Sequence, residues 1–533
     1  MSGALSEPTA ILPTCAVPGN LATELVKDPD RNIPTSPFST FARDFPMKFH
    51  VIMTLIGLAS ATCTAADLPR STPEAQGVSS PTVLEFVAAA DKSIDSLHSV
   101  IIVRHGKVVA EGWWAPYRPE TRHQLYSLSK SFTSTAVGMA IADGKLNLDD
   151  EVMKLFPGDA PANPSANLKA MRISDLLRMN TGHQTEPPRK ADEVWTKTFL
   201  AHPVPFKPGS HFQYNTSATY MLSAAVQKAT GQTLLAYLKP KLFDPLGIEN
   251  PTWEMSPQGI STGGYGLSVR TEDIAKFGQL YLQKGKWQGK QLVPAAWVEE
   301  ATARQTSNGS NPKSDWDQMY GYQFWRSRHG AYRGDGAFGQ YCIVLPEQDA
   351  VIAITAGVKD MQAVLNLVWD KLLPGFKAGE LPADDATVKK HSAILKGLTL
   401  RLPEGSGTPA KLAGKKFAFP KNDQKLETIT LKTDKDGVVT VIAQIDGAER
   451  SIVCGKGSWH SSRAAWARWI EQPVAASGVW TADDTFTAKV CLIETPFVVT
   501  IRLKFSENEV RYETEANVGF GPTKDAPLVG KAE

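Results

Sequence analysis

The stretch Ser127-Leu128-Ser129-Lys130 lies where an extended run of the sequence turns into a helix. Residues three apart share one helix face, so the Ser127 hydroxyl and the Lys130 amine can lie within hydrogen-bonding distance if Ser127 opens the helix. Burial and the positive end of the helix dipole both disfavour a lysine ammonium, which leaves an amine able to accept the serine proton. The backbone N–H of Ser127 at the same helix start can bind an oxyanion. These four residues therefore predict a serine nucleophile that a lysine activates.

The residues that follow this stretch bear on whether the lysine is buried. Apolar side chains recur at helical spacing, at Phe132, Ala136, Met139 and Ala140. This pattern predicts a buried helix over 127–142 that ends at Gly144. Ser-x-x-Lys alone is a common pattern, and a lysine one turn after a capping serine is usually solvated. A lysine in the first turn of a buried helix is partly buried, which favours a chemical role for Lys130.

The composition excludes several classes of protein. The chain has 533 residues, of which 42% are hydrophobic and 21% charged, with a formal net charge of +2. These values predict a soluble globular protein of two or three domains, and the charge gives no indication of nucleic-acid binding. The histidines and cysteines show no Cys-x-x-Cys or His-Glu-x-x-His spacing, so we expect no metal site and no cofactor.

The first 66 residues predict a leader. Residues 1–46 are polar without clear periodicity, and Met47 is followed by an apolar run over 51–61 and small residues at 64–66. This predicts a signal peptide that starts at Met47, with residues 1–46 a mis-assigned leader; a genuine long leader is the alternative. The apolar run is too short to span a bilayer. We therefore expect a periplasmic or secreted protein without a transmembrane anchor.

The mature chain divides into a mixed part and a β part. Helical and strand patterns mix over 67–375, with predicted hairpin turns at 105–107 and 346–349, which indicates an α+β domain. Residues 376–408 are rich in Lys, Gly, Pro and Ala and are interpreted as a linker with one helix. Over 409–533 the hydrophobic period switches to two, which predicts an antiparallel β domain. Two cysteines of this domain, Cys454 and Cys491, either pair or serve as small apolar residues on strands.

Tyr214 is the candidate proton carrier of an acyl-transfer site. It follows a Pro208-Gly209 turn and precedes a helical stretch. A phenol beside the Lys130 ammonium can have a lowered pKa and shuttle protons, whereas the alternative is an aromatic packing residue.

A glycine-rich segment, 334–339, is the candidate for the second oxyanion donor. It fits the G-x-G-x-x-G dinucleotide pattern, but a strand follows it where that pattern needs a helix. Glycines beside a strand edge instead let a substrate approach the main chain. The backbone N–H of Ala337 is therefore the expected oxyanion partner of the N–H of Ser127.

These motifs together resemble the serine hydrolases related to class C β-lactamases, penicillin-binding DD-peptidases and esterases of the same fold. The likeness runs over about 68–373 and includes Leu125-Tyr126-Ser127-Leu128-Ser129-Lys130-Ser131-Phe132, Leu176-Leu177-Arg178-Met179-Asn180-Thr181-Gly182-His183, Pro245-Leu246-Gly247-Ile248 and Gly263-Gly264-Tyr265-Gly266-Leu267-Ser268. It implies an antiparallel sheet flanked by helices with an all-helical subdomain. The C-terminal part resembles small lipocalin-like appendages, which implies a small antiparallel β-barrel-like domain. The likeness also implies that Ser127 is acylated, that Lys130 is its base and that Tyr214 is the general acid/base.

The departures from the resemblance bear on the substrate. Relatives that act on β-lactams have Tyr-x-Asn and a Lys-Thr-Gly-like triad, but the matching positions here are Tyr214-Asn215-Thr216 and Gly334-Asp335-Gly336. The predicted substrate-binding residues are therefore Asn215, Thr216, Gly334, Asp335 and Gly336. The Asp335 carboxylate would repel a substrate carboxylate unless Arg333 compensates.

These residues predict a small-molecule ester, amide or peptide as the substrate, including one with a free amine near Asp335. The alternatives are a penicillin-binding DD-peptidase or β-lactamase, and a catalytically silent sensor of the same fold. No nucleic acid is expected as a partner, and a homodimer is compatible with the sequence.

Overall fold

The computed structural model describes residues 67–408 and 414–533, which belong to one compact unit. The expected start at Met47 and the signal peptide lie outside the described residues and stay predictions. Within the described ranges, no helix combines the length and apolarity that a membrane crossing requires.

The first part of the described chain mixes short strands and helices. Its strands are β1 (Leu97–Arg104), β2 (Lys107–Trp113), β3 (Arg122–Gln124), β4 (Thr252–Trp253), β5 (Leu267–Arg270), β6 (Lys286–Trp287), β7 (Lys290–Gln291), β8 (Trp325–Arg326), β9 (Tyr332–Gly336), β10 (Gln340–Leu345) and β11 (Ala350–Ala356). Its helices are α1 (Ser80–Ser93), α2 (Ser129–Ala142), α3 (Val152–Leu155), α4 (Ala166–Ala170), α5 (Ile173–Leu177), α6 (Trp195–Ala201), α7 (Thr216–Thr230), α8 (Leu234–Leu238), α9 (Asp244–Leu246), α10 (Thr271–Leu282), α11 (Ala295–Thr302), α12 (Met361–Leu367) and α13 (Asp385–Lys396).

The main sheet is antiparallel and runs in the order β2-β1-β11-β10-β9-β8. Successive side chains of a strand point to opposite faces. Accordingly, Ile101 and Val103 of β1 lie in one core with α2, α7 and α10, whereas Val100 and Ile102 lie in a second core with α1 and α12. Helices therefore cover both faces of the sheet, and α3 to α8 pack with α2 in the first core as a helical subdomain.

The predicted hairpins are confirmed. β1 and β2 pair across the turn at 105–107, and β10 and β11 pair across the turn at 346–349. The predicted helix over 127–142 divides into a 3₁₀ turn, Tyr126–Leu128, and α2, and Gly144 beyond its end has a left-handed φ of 67°. A tight turn before the α-helix thus carries Ser127.

The C-terminal part is an antiparallel sheet that curls into a nearly closed barrel. Its strands are β12 (Phe417–Ala418), β13 (Leu426–Thr433), β14 (Val439–Ile445), β15 (Ala448–Cys454), β16 (His460–Trp466), β17 (Trp469–Ala482), β18 (Thr485–Leu492), β19 (Val498–Ser506), β20 (Glu509–Ala516) and β21 (Leu528–Ala532). They run in the order β15-β14-β13-β12-β21-β20-β19-β18-β17-β16, and Gly455 bridges to Ser477 between the two ends of this order. The predicted α+β domain followed by a β-barrel-like domain is confirmed.

The barrel has its own core and also packs on the first part. Ile501, Leu503 and Phe505 of β19 alternate into the barrel core, as their period of two predicts. Cys491 joins the core under α1 and α12 instead. Cys454 and Cys491 are buried free thiols, so of the two alternatives they are the small apolar residues on strands.

Candidate active site

The Ser127 hydroxyl and the Lys130 amine lie within hydrogen-bonding distance, as their spacing predicts. Lys130 Nζ is 3.0 Å from Ser127 Oγ, and the Lys130 residue is only 1% exposed. Ser127 belongs to the 3₁₀ turn, and Lys130 lies in the first turn of the α2 helix that follows it. The buried apolar helix therefore brings a hydroxyl and an amine together away from bulk water.

The neighbours of Lys130 fit a neutral amine. Its Nζ donates a hydrogen bond to the carbonyl oxygen of Gly264 at 2.8 Å and lies 3.3 Å from Thr216 Oγ1. A neutral amine has two N–H donors and one lone pair. The carbonyl and the threonine hydroxyl can take the two donors, which aims the lone pair at the O–H of Ser127. This arrangement can remove the serine proton.

Burial lowers the pKa of Lys130 from its ordinary value of 10.5 to about 7. Desolvation is the largest cause, because it penalises the ammonium form. The carboxylates of Glu186 and Asp335 act in the opposite direction and raise the pKa, whereas the guanidinium of Arg189 lowers it. Near neutral pH, a large fraction of the lysine is therefore the free amine.

Tyr214 lies beside both groups. Its ring stacks on Trp325 with a centroid distance of 5.3 Å, and Lys130 Nζ lies 4.9 Å from the tyrosine centroid. The phenol shares a hydrogen bond with Ser127. This geometry lets the phenol O–H donate to an oxygen or nitrogen that leaves from a carbonyl bound at Ser127.

The expectation that Lys130 lowers the pKa of Tyr214 is wrong. The pKa of the Tyr214 phenol is raised well above its ordinary value, first by burial and then by the Asp335 carboxylate. Both effects disfavour the phenolate. Tyr214 is therefore a protonated hydrogen-bond donor at neutral pH, and its assignment as the proton shuttle stays a prediction.

Asn215 and Thr216 follow Tyr214 at the start of α7 and point to different groups. Asn215 is fully buried, and its side-chain oxygen accepts the N–H of Ala218 at 3.0 Å as the helix N-cap. Thr216 faces Lys130. The structure thus places the Thr216 hydroxyl beside the Lys130 amine, whereas the Asn215 oxygen caps the helix that begins at Thr216. Their roles in substrate binding stay predictions.

The glycines of β9 let this strand pack directly on the turn that carries Ser127. A Cβ atom at Gly336 would overlap the carbonyl oxygen of Leu125, and one at Gly334 would lie 2.6 Å from Ser131 Oγ. A methyl group at Gly336 would therefore require the main chain at Leu125 to move, and one at Gly334 would require the side chains of Leu128 and Ser131 to move. Because the strand ends at Gly336, the predicted oxyanion donor Ala337 follows directly.

Gly336→Ala is expected to destabilise the fold by about 2 kcal/mol, because the new methyl group meets main-chain atoms of the nucleophile turn. Urea unfolding followed by fluorescence measures this change. Gly158→Ala is the matched control, since Gly158 has open space around its Cβ position, and we expect a change below about 0.5 kcal/mol. Equal stability of the two variants would contradict the close packing of β9.

A protein-family model described as Beta-lactamase matches residues 91–363, more than half of the chain. The chain belongs to the beta-lactamase family. The resemblance stated from the motifs is thereby confirmed.

Individual proteins that this beta-lactamase family member is similar to include two described as hydrolases and one described as a penicillin-binding protein homologue. The chain is 27% identical over 275 residues to the 6-aminohexanoate-dimer hydrolase of Paenarthrobacter ureafaciens, in a match that covers 47% of this chain and 70% of that protein. A solved penicillin-binding protein homologue from Caulobacter crescentus has 17% identity and a TM-score of 0.45, and the match covers 58% of this chain and 100% of that one. EstCE1, a hydrolase with promiscuous acyltransferase activity, has 16% identity and a TM-score of 0.45, with 54% and 99% covered. The protein is a hydrolase of the beta-lactamase fold, similar in sequence to the 6-aminohexanoate-dimer hydrolase.

Asp335 of this family member is paired within the fold. Arg333, two residues earlier on the same face of β9, donates from Nε to Asp335 Oδ2 at 3.0 Å, and both side chains are buried. Burial raises the pKa of Asp335, and Arg333 opposes that shift. The guanidinium already balances the carboxylate, so a substrate amine is not required for this purpose. Substrate binding by Asp335 stays a prediction.

Several residues of the site were not assigned a role from the sequence. Gly264 supplies the carbonyl that orients Lys130, and a Cβ there would lie 2.5 Å from Thr216 Cγ2 and 3.4 Å from Lys130 Nζ. The Gly-Gly-Tyr-Gly run at 263–266 was the available signal. Arg189 and Glu186 form an ion pair, and both influence the pKa of Lys130. Their segment carried no pattern that would have pointed to the site.

Among residues 67–408 and 414–533, no group of three or more His, Cys, Asp or Glu side chains is arranged to hold a metal ion.

Proposed function

We propose that this protein is an exported serine hydrolase that forms and hydrolyses an acyl-enzyme at Ser127 on an ester or amide substrate. The observation that carries the proposal is the buried Lys130 amine, which lies 3.0 Å from Ser127 Oγ and is oriented by the Gly264 carbonyl. Export rests on the leader pattern at 47–66 alone.

In the first half-reaction, the Ser127 O–H proton passes to Lys130 Nζ as Oγ bonds to the substrate carbonyl carbon. The N–H groups of Ser127 and Ala337 are the proposed donors to the resulting oxyanion. When the tetrahedral intermediate collapses, the bond to the leaving oxygen or nitrogen breaks. The Tyr214 phenol donates a proton to that atom and is reprotonated by the Lys130 ammonium.

In the second half-reaction, a water molecule attacks the acyl carbonyl, and its proton passes to the Tyr214–Lys130 pair, where the neutral Lys130 amine is the acceptor. The bond between the acyl carbon and Ser127 Oγ then breaks, and Oγ takes a proton back from this pair. The raised pKa of Tyr214 suits the donor step, because a phenol that stays protonated is available for it.

An ester or amide is favoured over a carboxylate-bearing β-lactam because of the segment Gly334-Asp335-Gly336. Relatives that act on β-lactams have a Lys-Thr-Gly-like triad at this position, and the segment here has no lysine to bind the carboxylate of a β-lactam. The 6-aminohexanoate dimer, for which the relative from Paenarthrobacter ureafaciens is named, is the amide that we would assay first.

Labelling of the folded protein with a fluorophosphonate, followed by mass-spectrometric mapping of the adduct, tests the proposal. We expect one adduct, on Ser127, and turnover of p-nitrophenyl acetate or butyrate. Capture of a fluorescent penicillin at Ser127 would instead support the DD-peptidase or β-lactamase alternative. Absence of both labelling and ester turnover would support the silent sensor.

A further inference from the structure

Four aromatic side chains from both parts of the chain form one contact cluster, and we call them the seam cluster: Tyr126, which precedes Ser127, and Phe338, Phe497 and Phe520. The Phe520 ring lies 5.6 Å from the ring of Tyr126 and 4.8 Å from that of Phe338, between centroids. Phe338 also contacts Tyr126 edge-on at 5.6 Å and Phe497 at 5.9 Å. Phe497 and Phe520 come from the C-terminal barrel, so the barrel contributes directly to the surroundings of the site.

Two members of the seam cluster are bonded to the residues expected to hold the scissile carbonyl. Tyr126 precedes Ser127, and Phe338 follows Ala337. Both have left-handed backbones, with φ of 47° and 69°. A bulky residue rarely adopts this conformation unless its surroundings enforce it, and such residues cluster at functional sites. The two turns therefore bring the rings of Tyr126 and Phe338 against each other, each one residue along the chain from a proposed oxyanion donor.

The loop that carries Phe520 is anchored to the first part of the chain. The side-chain amide of Asn517 donates to the carbonyl oxygens of Gly357 at 2.8 Å and Pro496 at 2.9 Å, and its oxygen accepts the N–H of Val498 at 2.7 Å. Asn517 thus joins the barrel loop to the segment just after β11. The neighbouring N–H of Val358 donates to the carbonyl oxygen of Phe338 at 2.9 Å, which links the anchor to the cluster.

Phe520 remains 58% exposed although its ring contacts two other aromatic rings. Tyr126 and Phe338 are half-buried. The cluster therefore presents aromatic surface to solvent, and one of its members, Tyr126, directly precedes Ser127 in the chain. Binding sites are often lined by aromatic side chains at domain interfaces, where they receive the apolar part of a ligand.

We infer that the seam cluster binds an apolar substituent of the ester or amide, and that Phe520 of the barrel determines specificity for it. This inference rests on the proposed hydrolysis at Ser127 and names its substrate class: carbonyl compounds with a long alkyl or aryl group. The contacts of Phe520 with Tyr126 and Phe338 place the barrel residue within reach of the same substituent.

The test compares kcat/KM for p-nitrophenyl acetate, butyrate, hexanoate and octanoate in the wild type and in Phe520→Ala. A parallel series of acetate esters with larger leaving groups examines the other side of the carbonyl. Each buried methylene group changes affinity by about fourfold, and we expect Phe520→Ala to lose contact with one or two of them, so the preference for the longest over the shortest member of one series is expected to fall about tenfold. Phe520→Leu, which keeps apolar surface, is expected to retain part of the preference.

Ile470→Ala is the matched control, because Ile470 is an apolar barrel residue of similar exposure, 51%. We expect it to leave the chain-length preference unchanged. If Phe520→Ala and Ile470→Ala keep the wild-type preference in both series, the inference is overturned while hydrolysis at Ser127 stands. If Ser127 takes no fluorophosphonate and no ester is turned over, the proposed function itself fails, and the inference fails with it.

Discussion

Ser127→Ala is expected to lower ester turnover by about 10⁴-fold or more and to eliminate fluorophosphonate labelling. The substitution removes Ser127 Oγ, the atom that bonds to the acyl carbon in the proposed acyl-enzyme. The buried Lys130 amine keeps its other two partners, Gly264 and Thr216. Steady-state kinetics and intact-protein mass spectrometry measure the two effects. Because Ser127 is partly exposed in a tight turn and alanine is smaller, we expect the far-ultraviolet circular dichroism to be unchanged.

Ser129→Ala is the matched control for this prediction. Ser129 belongs to the same four-residue stretch, but its Oγ accepts the N–H of Leu267 at 3.2 Å instead of facing Lys130. The loss of this hydrogen bond is expected to cost about 1 kcal/mol of stability and to leave labelling in place. If Ser127→Ala still takes the label, or if Ser129→Ala alone loses it, the nucleophile has been assigned to the wrong residue.

Lys130→Met is expected to lower kcat/KM by about 10³-fold, since it removes the proposed base and keeps a long apolar side chain in the buried site. It should also remove a pH limb. In the wild type, the pKa of Lys130 is about 7, and only the neutral amine accepts the Ser127 proton. Hence kcat/KM should rise about tenfold per pH unit below 7 and level off above it, a limb that Lys130→Met should lack.

The same pKa predicts how stability depends on pH. Lys130 has a pKa near 7 in the folded protein and an ordinary value of 10.5. Between these two values, the unfolded chain binds more protons than the folded chain, so the free energy of unfolding should rise with pH. Urea unfolding between pH 7 and 10 measures this rise, and Lys130→Met should reduce it.

Lys276→Met is the control for both measurements. Lys276 is also fully buried, on α10, and its Nζ pairs with Asp67 Oδ1 at 3.4 Å. We expect its loss to leave the pH limb near 7 in place. A limb that persists in Lys130→Met would show that another group titrates it, and the assignment of Lys130 as the base would then be wrong.

Much of the fold was predictable because it depends on local periodicity. The hairpin turns at 105–107 and 346–349, the barrel strand around Ile501 and the buried helix after Ser127 all follow from spacings of two or three to four residues. The pairing of Ser127 with Lys130 has the same origin. The structure differs from the predicted helix at Tyr126–Leu128, which is a 3₁₀ turn. Tyr126 there has a left-handed backbone, and the spacing of apolar residues does not predict such a conformation.

The pKa of Tyr214 shows what local reasoning lacked. A nearby lysine predicts a lowered pKa for the Tyr214 phenol. In the structure the phenol is buried, so desolvation has the largest effect, and the Asp335 carboxylate raises the pKa further. Burial is a property of the assembled molecule, so the sign of this shift could not be obtained from residue spacing.

The sequence by itself determined the contact between Ser127 and Lys130, the strand and helix patterns and the family, because each of these is encoded by residues close together in the chain. Only the tertiary structure decided which distant groups complete the site. The Gly264 carbonyl that orients Lys130 is 134 residues away from it, and Phe520 of the C-terminal barrel contacts Tyr126, the residue before Ser127. Such contacts depend on how packed elements approach one another, and chain spacing carries no information about that approach.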